Sequence, residues 1–180
     1  ADLREDVLRP RALVDEHERG RALAVVQPLQ DLVAGPPELV RPGAAVLDGT
    51  VDCIVTDHSP HAHEEKDVEF RYAPNGFTGL ETSLGVVLTD LYHTGIFDLN
   101  TIVNKMSCEP AKVFNLDRGT LAVGAPADIT IMDLNKEWTV DCWKFYTRGK
   151  FTPYNGKQCK GKAVATMMGG RFVMKDGIVG

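Results

Sequence analysis

An acidic residue and two histidines follow directly after a short apolar run in this 180-residue chain. The run Cys53-Ile54-Val55 is rich in β-branched residues and predicts a short buried strand. Asp57 would lie at the tip of that strand, and His61 in the loop beyond it. Parallel α/β folds place their chemistry at the carboxyl ends of strands. A carboxylate there can bind a metal, take up a proton, or do both in turn. The alternative is a helix-capping Asp beside histidines of a solvated loop.

The residues around Asp57 match a family pattern over a long stretch. The motifs are Thr56-Asp57-His58-Ser59-Pro60-His61, Glu64-Glu65-Lys66, Ala73-Pro74-Asn75-Gly76-Phe77-Thr78-Gly79-Leu80-Glu81-Thr82, Glu109-Pro110-Ala111-Lys112-Val113-Phe114-Asn115-Leu116, Gly119-Thr120-Leu121, Gly124-Ala125-Pro126-Ala127-Asp128-Ile129 and Thr152-Pro153-Tyr154-Asn155-Gly156. Together they resemble the dihydroorotases of the long bacterial class, which are zinc-dependent cyclic amidohydrolases. The resemblance covers residues 47–180.

The resemblance implies roles for four residues. Asp57 would bind the more buried zinc ion and pass a proton from the attacking hydroxide to the leaving nitrogen. His61 would bind the substrate carboxylate, and the backbone of Asn75 and Gly76 would contact the substrate ring. The family more often has Phe-Gly at the last two positions, so Asn75 departs from the pattern. A solvated loop histidine and an ordinary Asn-Gly turn are the alternatives for these residues.

The activity that the resemblance implies is the reversible hydrolysis of L-dihydroorotate to N-carbamoyl-L-aspartate in pyrimidine biosynthesis. His61 favours this activity over that of the allantoinases and hydantoinases, which usually lack a histidine there. The intact family enzyme holds two zinc ions, but this chain offers no candidates for its His-x-His pair, its bridging carboxylate and its further histidines. We therefore expect the chain alone to be inactive and to retain no zinc.

Two alternatives come from other classes. The chain could be a non-catalytic module that docks on aspartate transcarbamoylase, or a part of an allantoinase or hydantoinase. A homodimer is a further possible assembly. The net charge of −5 argues against nucleic acid as a partner. The sequence contains no apolar stretch long enough for a membrane span. Its four scattered cysteines, Cys53, Cys108, Cys142 and Cys159, are typical of reduced thiols in a cytoplasmic protein.

The elements that must position these residues predict an α/β fold. A closed (β/α)₈ barrel needs about 250 residues. The chain is therefore expected to be the C-terminal part of a TIM-barrel amidohydrolase fold, followed by a small β-sandwich subdomain. Residues 47–118 would supply the last barrel strand, the active-site loop and terminal helices. Residues 119–180 would form the β subdomain, with an edge exposed because N-terminal strands of the family are missing.

Residues 1–46 differ in composition from the rest. They contain six Arg and no Lys, whereas residues 47–180 contain ten Lys, four Arg and all thirteen aromatic residues. Residues 6–32 could form helices, and the proline–glycine clusters at 35–37 and 41–43 should break any regular element. The segment could be a divergent helical lead-in, a disordered arm, or an out-of-frame translation that rejoins the frame near Leu47. We favour the third interpretation because the resemblance begins so abruptly.

Periodicity predicts the remaining elements. Residues 80–93 have helical spacing of apolar residues, with Gly95 as C-cap. Asp98 or Asn100 should cap a short helix, and another should open at Glu109. Alternation predicts strands at 127–134, 138–140 and 162–168, then a Gly-Gly hairpin into 171–174 and a turn at 176–177. In the loop, His58 is expected to be structural, His63 exposed, and residues 64–66 a solvated charged turn.

Overall fold

The computed structural model describes residues 23–25 and 42–180. These residues form two compact units. The first contains the described residues up to Val55 together with residues 95–125, and the second contains residues 56–94 and 126–180. In chain order the elements are β1 Leu23–Val25, α1 Pro42–Leu47, β2 Cys53–Val55, α2 His63–Lys66, α3 Ser83–Val87, α4 Leu99–Val103, α5 Glu109–Val113, β3 Ile129–Thr139, β4 Gln158–Met168, β5 Arg171–Lys175 and β6 Ile178–Val179.

The first unit contains a pair of parallel strands. The strand predicted at 53–55 is confirmed as β2, and it pairs in parallel with β1, with Leu23 opposite Cys53 and Val25 opposite Val55. Cys53 and Ile54 are buried. Parallel pairing with a buried strand is typical of α/β folds. The helical prediction for residues 6–32 is wrong at β1, because a parallel ladder satisfies the backbone groups of that stretch instead. The rest of that prediction, and most of residues 1–46, lie outside the described residues.

Helix α1 corrects the break predicted at 41–43. It begins at Pro42, where the missing N–H of proline leaves no helical hydrogen bond unmade. The other helices of this unit follow the prediction. Asp98 caps α4 by accepting a hydrogen bond from the Thr101 amide at 2.7 Å, and α5 opens at Glu109 with a proline in its first turn. A π-helical segment, Asn104–Cys108, joins them. Its buried Lys105 donates to the Val51 carbonyl at 2.5 Å.

The second unit is built on a four-stranded antiparallel sheet in the order β3-β4-β5-β6. The strands predicted at 127–134 and 138–140 are one strand, β3, with irregular pairing between Asp133 and Glu137. The Gly169-Gly170 hairpin and the turn at 176–177 are confirmed. In the described part of this sheet β3 is an edge strand, and its residues are exposed or half-buried.

Helix α3 packs on this sheet. The predicted helix at 80–93 begins later, at Ser83, and continues beyond Val87 as a π-helical segment, Leu88–Tyr92. Its apolar face is buried as the spacing predicts, whereas Leu80 is 60% exposed. The approach is close because Gly85 has no side chain: a Cβ there would lie 2.5 Å from Trp138 Cζ2. Gly95 adopts a positive φ of 75° just beyond the helix.

The cysteines carry no disulfide in this structure. Cys53, Cys142 and Cys159 are buried and Cys108 is half-buried. Burial raises the pKa of the Cys159 thiol above its usual value. Among the described residues, no helix is both long and apolar enough to cross a membrane.

Candidate active site

Asp57 lies two residues beyond the end of β2, at the start of a long loop. Asp57 is exposed, and its backbone has a φ of 44°. Asp is among the few non-glycine residues that adopt this left-handed conformation readily. Such outliers cluster at functional sites, where the surrounding structure holds them. The predicted proton carrier, Asp57, therefore lies at the start of the loop in an uncommon backbone conformation.

His58 fastens the beginning of this loop to its end. Its Nδ1 accepts hydrogen bonds from the amides of Gly79 and Leu80, each at 3.2 Å. Next to it, the Ser59 amide donates to the Phe77 carbonyl at 3.0 Å. A ring nitrogen that accepts two bonds carries no proton, so a neutral His58 has its proton on Nε2. The prediction that His58 is structural agrees with these contacts.

His61 contacts the turn that contains Asn75 and Gly76. Its Nε2 lies 2.9 Å from the Asn75 carbonyl oxygen, and a carbonyl can only accept, so Nε2 donates. Its Nδ1 lies 3.4 Å from Glu65 Oε2. Three of the four residues predicted for the site are thus in one cluster, whereas Asp57 shares the loop but is not among the residues that these contacts join.

Gly76 is required where it stands. Its φ is 107°, and a Cβ built on it would lie 2.6 Å from Ser59 Cβ and 3.0 Å from the Ser59 carbonyl oxygen. Real Cβ atoms essentially never come within 3.0 Å of a non-bonded heavy atom from another part of the chain. The turn therefore packs directly on the backbone that follows Asp57, and only glycine fits.

Residues 64–66 do not form the predicted solvated turn but part of helix α2. Glu65 Oε2 accepts a hydrogen bond from the Ala62 amide at 3.0 Å, which caps the helix start. The half-buried Lys66 donates from Nζ to the Pro74 carbonyl at 2.6 Å. His63 is exposed as predicted, and its ring packs at a tilt of 55° against Phe151 with the centroids 5.3 Å apart.

Four hydrogen bonds to a distant loop, made by Thr78 and Glu81, support the turn from the other side. The buried Thr78 donates from Oγ1 to the Gly149 carbonyl at 3.0 Å, and its amide donates to the Phe151 carbonyl at 2.8 Å. Glu81 accepts from the amide and the hydroxyl of Thr147, at 2.9 and 2.8 Å. These supports and Lys66 were not singled out from the sequence. Their partners lie 8 to 71 residues away, beyond any local pattern.

A metal site is incomplete in the described part of the chain. Over residues 23–25 and 42–180, no group of three His, Cys, Asp or Glu side chains could hold a metal ion. Zinc needs three or four protein ligands, whereas the resemblance implies one among these residues, Asp57. The donor set of these residues therefore does not fit the two zinc ions that the resemblance implies.

The comparison with known proteins decides the family. The model of the amidohydrolase family matches residues 37–173, about three quarters of the chain. The chain belongs to the amidohydrolase family. The amidohydrolase fold, a TIM barrel of which this chain is a part, is confirmed at that level. The resemblance that the motifs suggested is confirmed as well.

The chain is similar in sequence to several proteins named dihydroorotase. It is 52% identical over 130 residues to the dihydroorotase of Citrifermentans bemidjiense, covering 72% of this chain and 30% of that protein. It is 42% identical over 132 residues to the dihydroorotase of Bacillus subtilis, covering 73% of this chain and 31% of that protein. The chain thus spans about a third of the length of these relatives.

Solved amidohydrolase structures share the fold. The L-hydantoinase (dihydropyrimidinase) of Arthrobacter aurescens superposes with a TM-score of 0.73 at 35% identity, covering 78% of this chain and 32% of that one. The dihydropyrimidinase of Brevibacillus agri superposes with a TM-score of 0.71 at 25% identity, covering 77% of this chain and 31% of that one.

Proposed function

We propose that this chain is part of a dihydroorotase, which hydrolyses L-dihydroorotate reversibly to N-carbamoyl-L-aspartate in pyrimidine biosynthesis. The observation that carries the proposal is the identity of up to 52% with proteins of that name, against 35% with the hydantoinase. Because the chain covers about a third of these relatives, the activity would belong to the longer protein. We expect the chain alone to be inactive.

Asp57 is the proposed proton carrier. Water attacks the ring carbonyl carbon, and the Asp57 carboxylate takes the proton that the water loses. The same carboxyl then gives that proton to the ring nitrogen as the carbon–nitrogen bond breaks, which leaves an open-chain ureido acid. The exposed position of Asp57 at the start of the loop supports access of substrate to its carboxylate.

His61 is the proposed ligand of the substrate carboxylate. Because Nε2 donates to the Asn75 carbonyl, His61 would bind the substrate through Nδ1, which has a proton to donate only in the imidazolium form of the ring. That nitrogen faces the Glu65 carboxylate at 3.4 Å, so an anion of the same kind already lies on this side of the ring. A substrate carboxylate would replace or adjoin Glu65 there.

The backbone of Asn75 and Gly76 is the proposed contact for the substrate ring. In the described part of the chain the amide groups of both residues have no hydrogen-bond acceptor, and Asn75 is exposed. Their N–H groups are therefore available to a ring carbonyl. The tight packing of Gly76 on Ser59 would fix the direction in which these groups point.

Zinc is the proposed cofactor of the longer protein, in which two ions would supply an activated water. Asp57 is the one ligand that this chain would contribute, and the others would come from the part of the relatives that it does not cover. We also propose that the chain divides into three segments, with boundaries at 46/47 and 118/119. The sheet of β3 to β6 would belong to a β-sandwich. The proposed location of the protein is cytoplasmic. A homodimer or a complex with aspartate transcarbamoylase is the proposed assembly.

A chimera tests the activity. Residues 47–180 would replace the matching part of the Citrifermentans bemidjiense dihydroorotase, and kcat/KM would be measured for L-dihydroorotate, hydantoin and allantoin. We expect dihydroorotate to be preferred by about a hundredfold or more. Hydantoin and allantoin lack its carboxylate, so the polar groups that bind this carboxylate would be left unpaired. His61→Ala should reduce dihydroorotate turnover most. Preference for hydantoin would instead support the second candidate, a hydantoinase, to whose solved structure this chain is similar.

A further inference from the structure

The turn that presents Asn75 and Gly76 is held by two side chains from one short segment. His61 Nε2 donates to the Asn75 carbonyl at 2.9 Å, and Lys66 Nζ donates to the Pro74 carbonyl at 2.6 Å. The two carbonyls are consecutive in the chain. Of the two donors, His61 precedes helix α2 and Lys66 is its last residue. We propose that Lys66 is a positioning residue, whose ammonium fixes the Pro74 carbonyl and thereby holds the Asn75–Gly76 turn in its place.

The chemistry of this contact makes it stronger than an ordinary surface hydrogen bond. Lys66 is half-buried although its neighbours Glu64, Glu65 and Asp67 are exposed. A charged donor roughly doubles the strength of a hydrogen bond to a neutral acceptor. The amide group that follows the Pro74 carbonyl is that of Asn75, so fixing one end of this peptide plane fixes the other end as well.

The direction of the Asn75 amide follows from that geometry. In a trans peptide the carbonyl of one residue and the amide N–H of the next point to opposite sides of the chain. With the Pro74 oxygen drawn toward Lys66, the Asn75 N–H must face away from helix α2. Lys66 would therefore act on a ligand indirectly, through the orientation of an amide that it does not touch.

A second anchor makes the role of Lys66 separable from that of His61. Gly76 is already seated on Ser59, and Thr78 is bonded to Phe151, so the downstream side of the turn is fixed independently. The upstream side, before Gly76, has the two donors of the α2 segment. Loss of Lys66 should therefore loosen residues 74–76 while the sheet keeps its structure.

Hydrogen exchange in the 180-residue chain tests this directly. Three variants would be compared with the unmodified chain: Lys66→Met keeps the apolar stem and removes the donor, Lys66→Arg keeps a donor, and Lys112→Met removes an exposed lysine paired with Glu109 on helix α5. We expect Lys66→Met to speed exchange of the Tyr72 and Ala73 amides, which donate to the Glu69 carbonyl just upstream of Pro74, by about fivefold to tenfold. The Thr78 amide, on the independently fixed side, should keep its protection. Lys66→Arg should restore most of the protection, and Lys112→Met should leave it unchanged.

Two results would overturn the proposal. One is unchanged exchange in Lys66→Met. The other is faster exchange across strand β4 to the same extent, because that would mean that Lys66 merely stabilises the whole unit.

The inference rests on the proposed function only for what the turn binds, and a ligand titration separates the two. The Gly76 amide resonance would be followed while L-dihydroorotate is added. We expect it to shift, with a Kd about tenfold higher in Lys66→Met and restored in Lys66→Arg. If the unmodified chain showed no shift, the binding role proposed for Gly76 would fail in this chain, while the exchange rates would still decide the role of Lys66.

Discussion

Gly76→Ala should destabilise the second unit by more than the strain of the backbone conformation at this position alone. A Cβ at this position would lie 2.6 Å from Ser59 Cβ, about 1 Å inside ordinary contact. Overlap of this kind costs about 1–3 kcal/mol because the neighbour must move. The positive φ of 107° adds about 1–2 kcal/mol for a residue with a side chain. The expected loss in free energy of unfolding is therefore about 2–5 kcal/mol.

Gly156→Ala is the matched control. Gly156 has a φ of 82° in the same unit, but nothing lies within 4 Å of the Cβ that it would gain, so only the backbone cost of about 1–2 kcal/mol applies. Both variants can be followed by urea unfolding with the fluorescence of the two tryptophans of this unit, Trp138 and Trp143. Equal losses in the two variants would refute the argument that the Gly76 turn packs tightly on Ser59.

Three further predictions concern other contacts. His58→Ala should cost about 2–3 kcal/mol, measured by the same unfolding assay, because the Gly79 and Leu80 amides lose their acceptor. The bond to the Thr101 amide lowers the pKa of the Asp98 carboxyl, so this cap contributes stability above the ordinary Asp pKa and loses it as pH falls below. In Asp98→Ala the free energy of unfolding should therefore fall less steeply as pH is lowered through this range, measured by the same unfolding assay. Iodoacetamide at pH 8 should label Cys108 before Cys159, whose thiol pKa is raised.

Local patterns predicted the elements whose signals lie within a few residues. The strand at Cys53, the cap at Asp98 and the Gly169-Gly170 hairpin each follow from a short motif. The start of α3 did not, because Leu80 continues the helical spacing although its amide is bonded to His58. Tertiary contact there overrides the helical pattern.

In the candidate site, too, local motifs predicted some residues, whereas others depend on contacts between distant parts of the chain. Sequence motifs predicted Asp57, His61 and Gly76 as site residues. The contact of His61 with Asn75 is consistent with that prediction. The role of Lys66 was not predictable, since its partner is a backbone carbonyl whose position depends on how the loop folds. Strand β1 was likewise missed, because pairing with β2 across some thirty residues leaves no local signal.

The measurement that tests the central claim most directly is the turnover of L-dihydroorotate by the chimera with and without Asp57→Asn. The substitution keeps the size of the side chain and removes its ability to carry a proton. If Asp57 moves the proton, kcat should fall by about a hundredfold to ten-thousandfold, with the folded structure unchanged by circular dichroism. A kcat within about threefold of that of the unsubstituted chimera, well below the range expected for a proton carrier, would contradict the account.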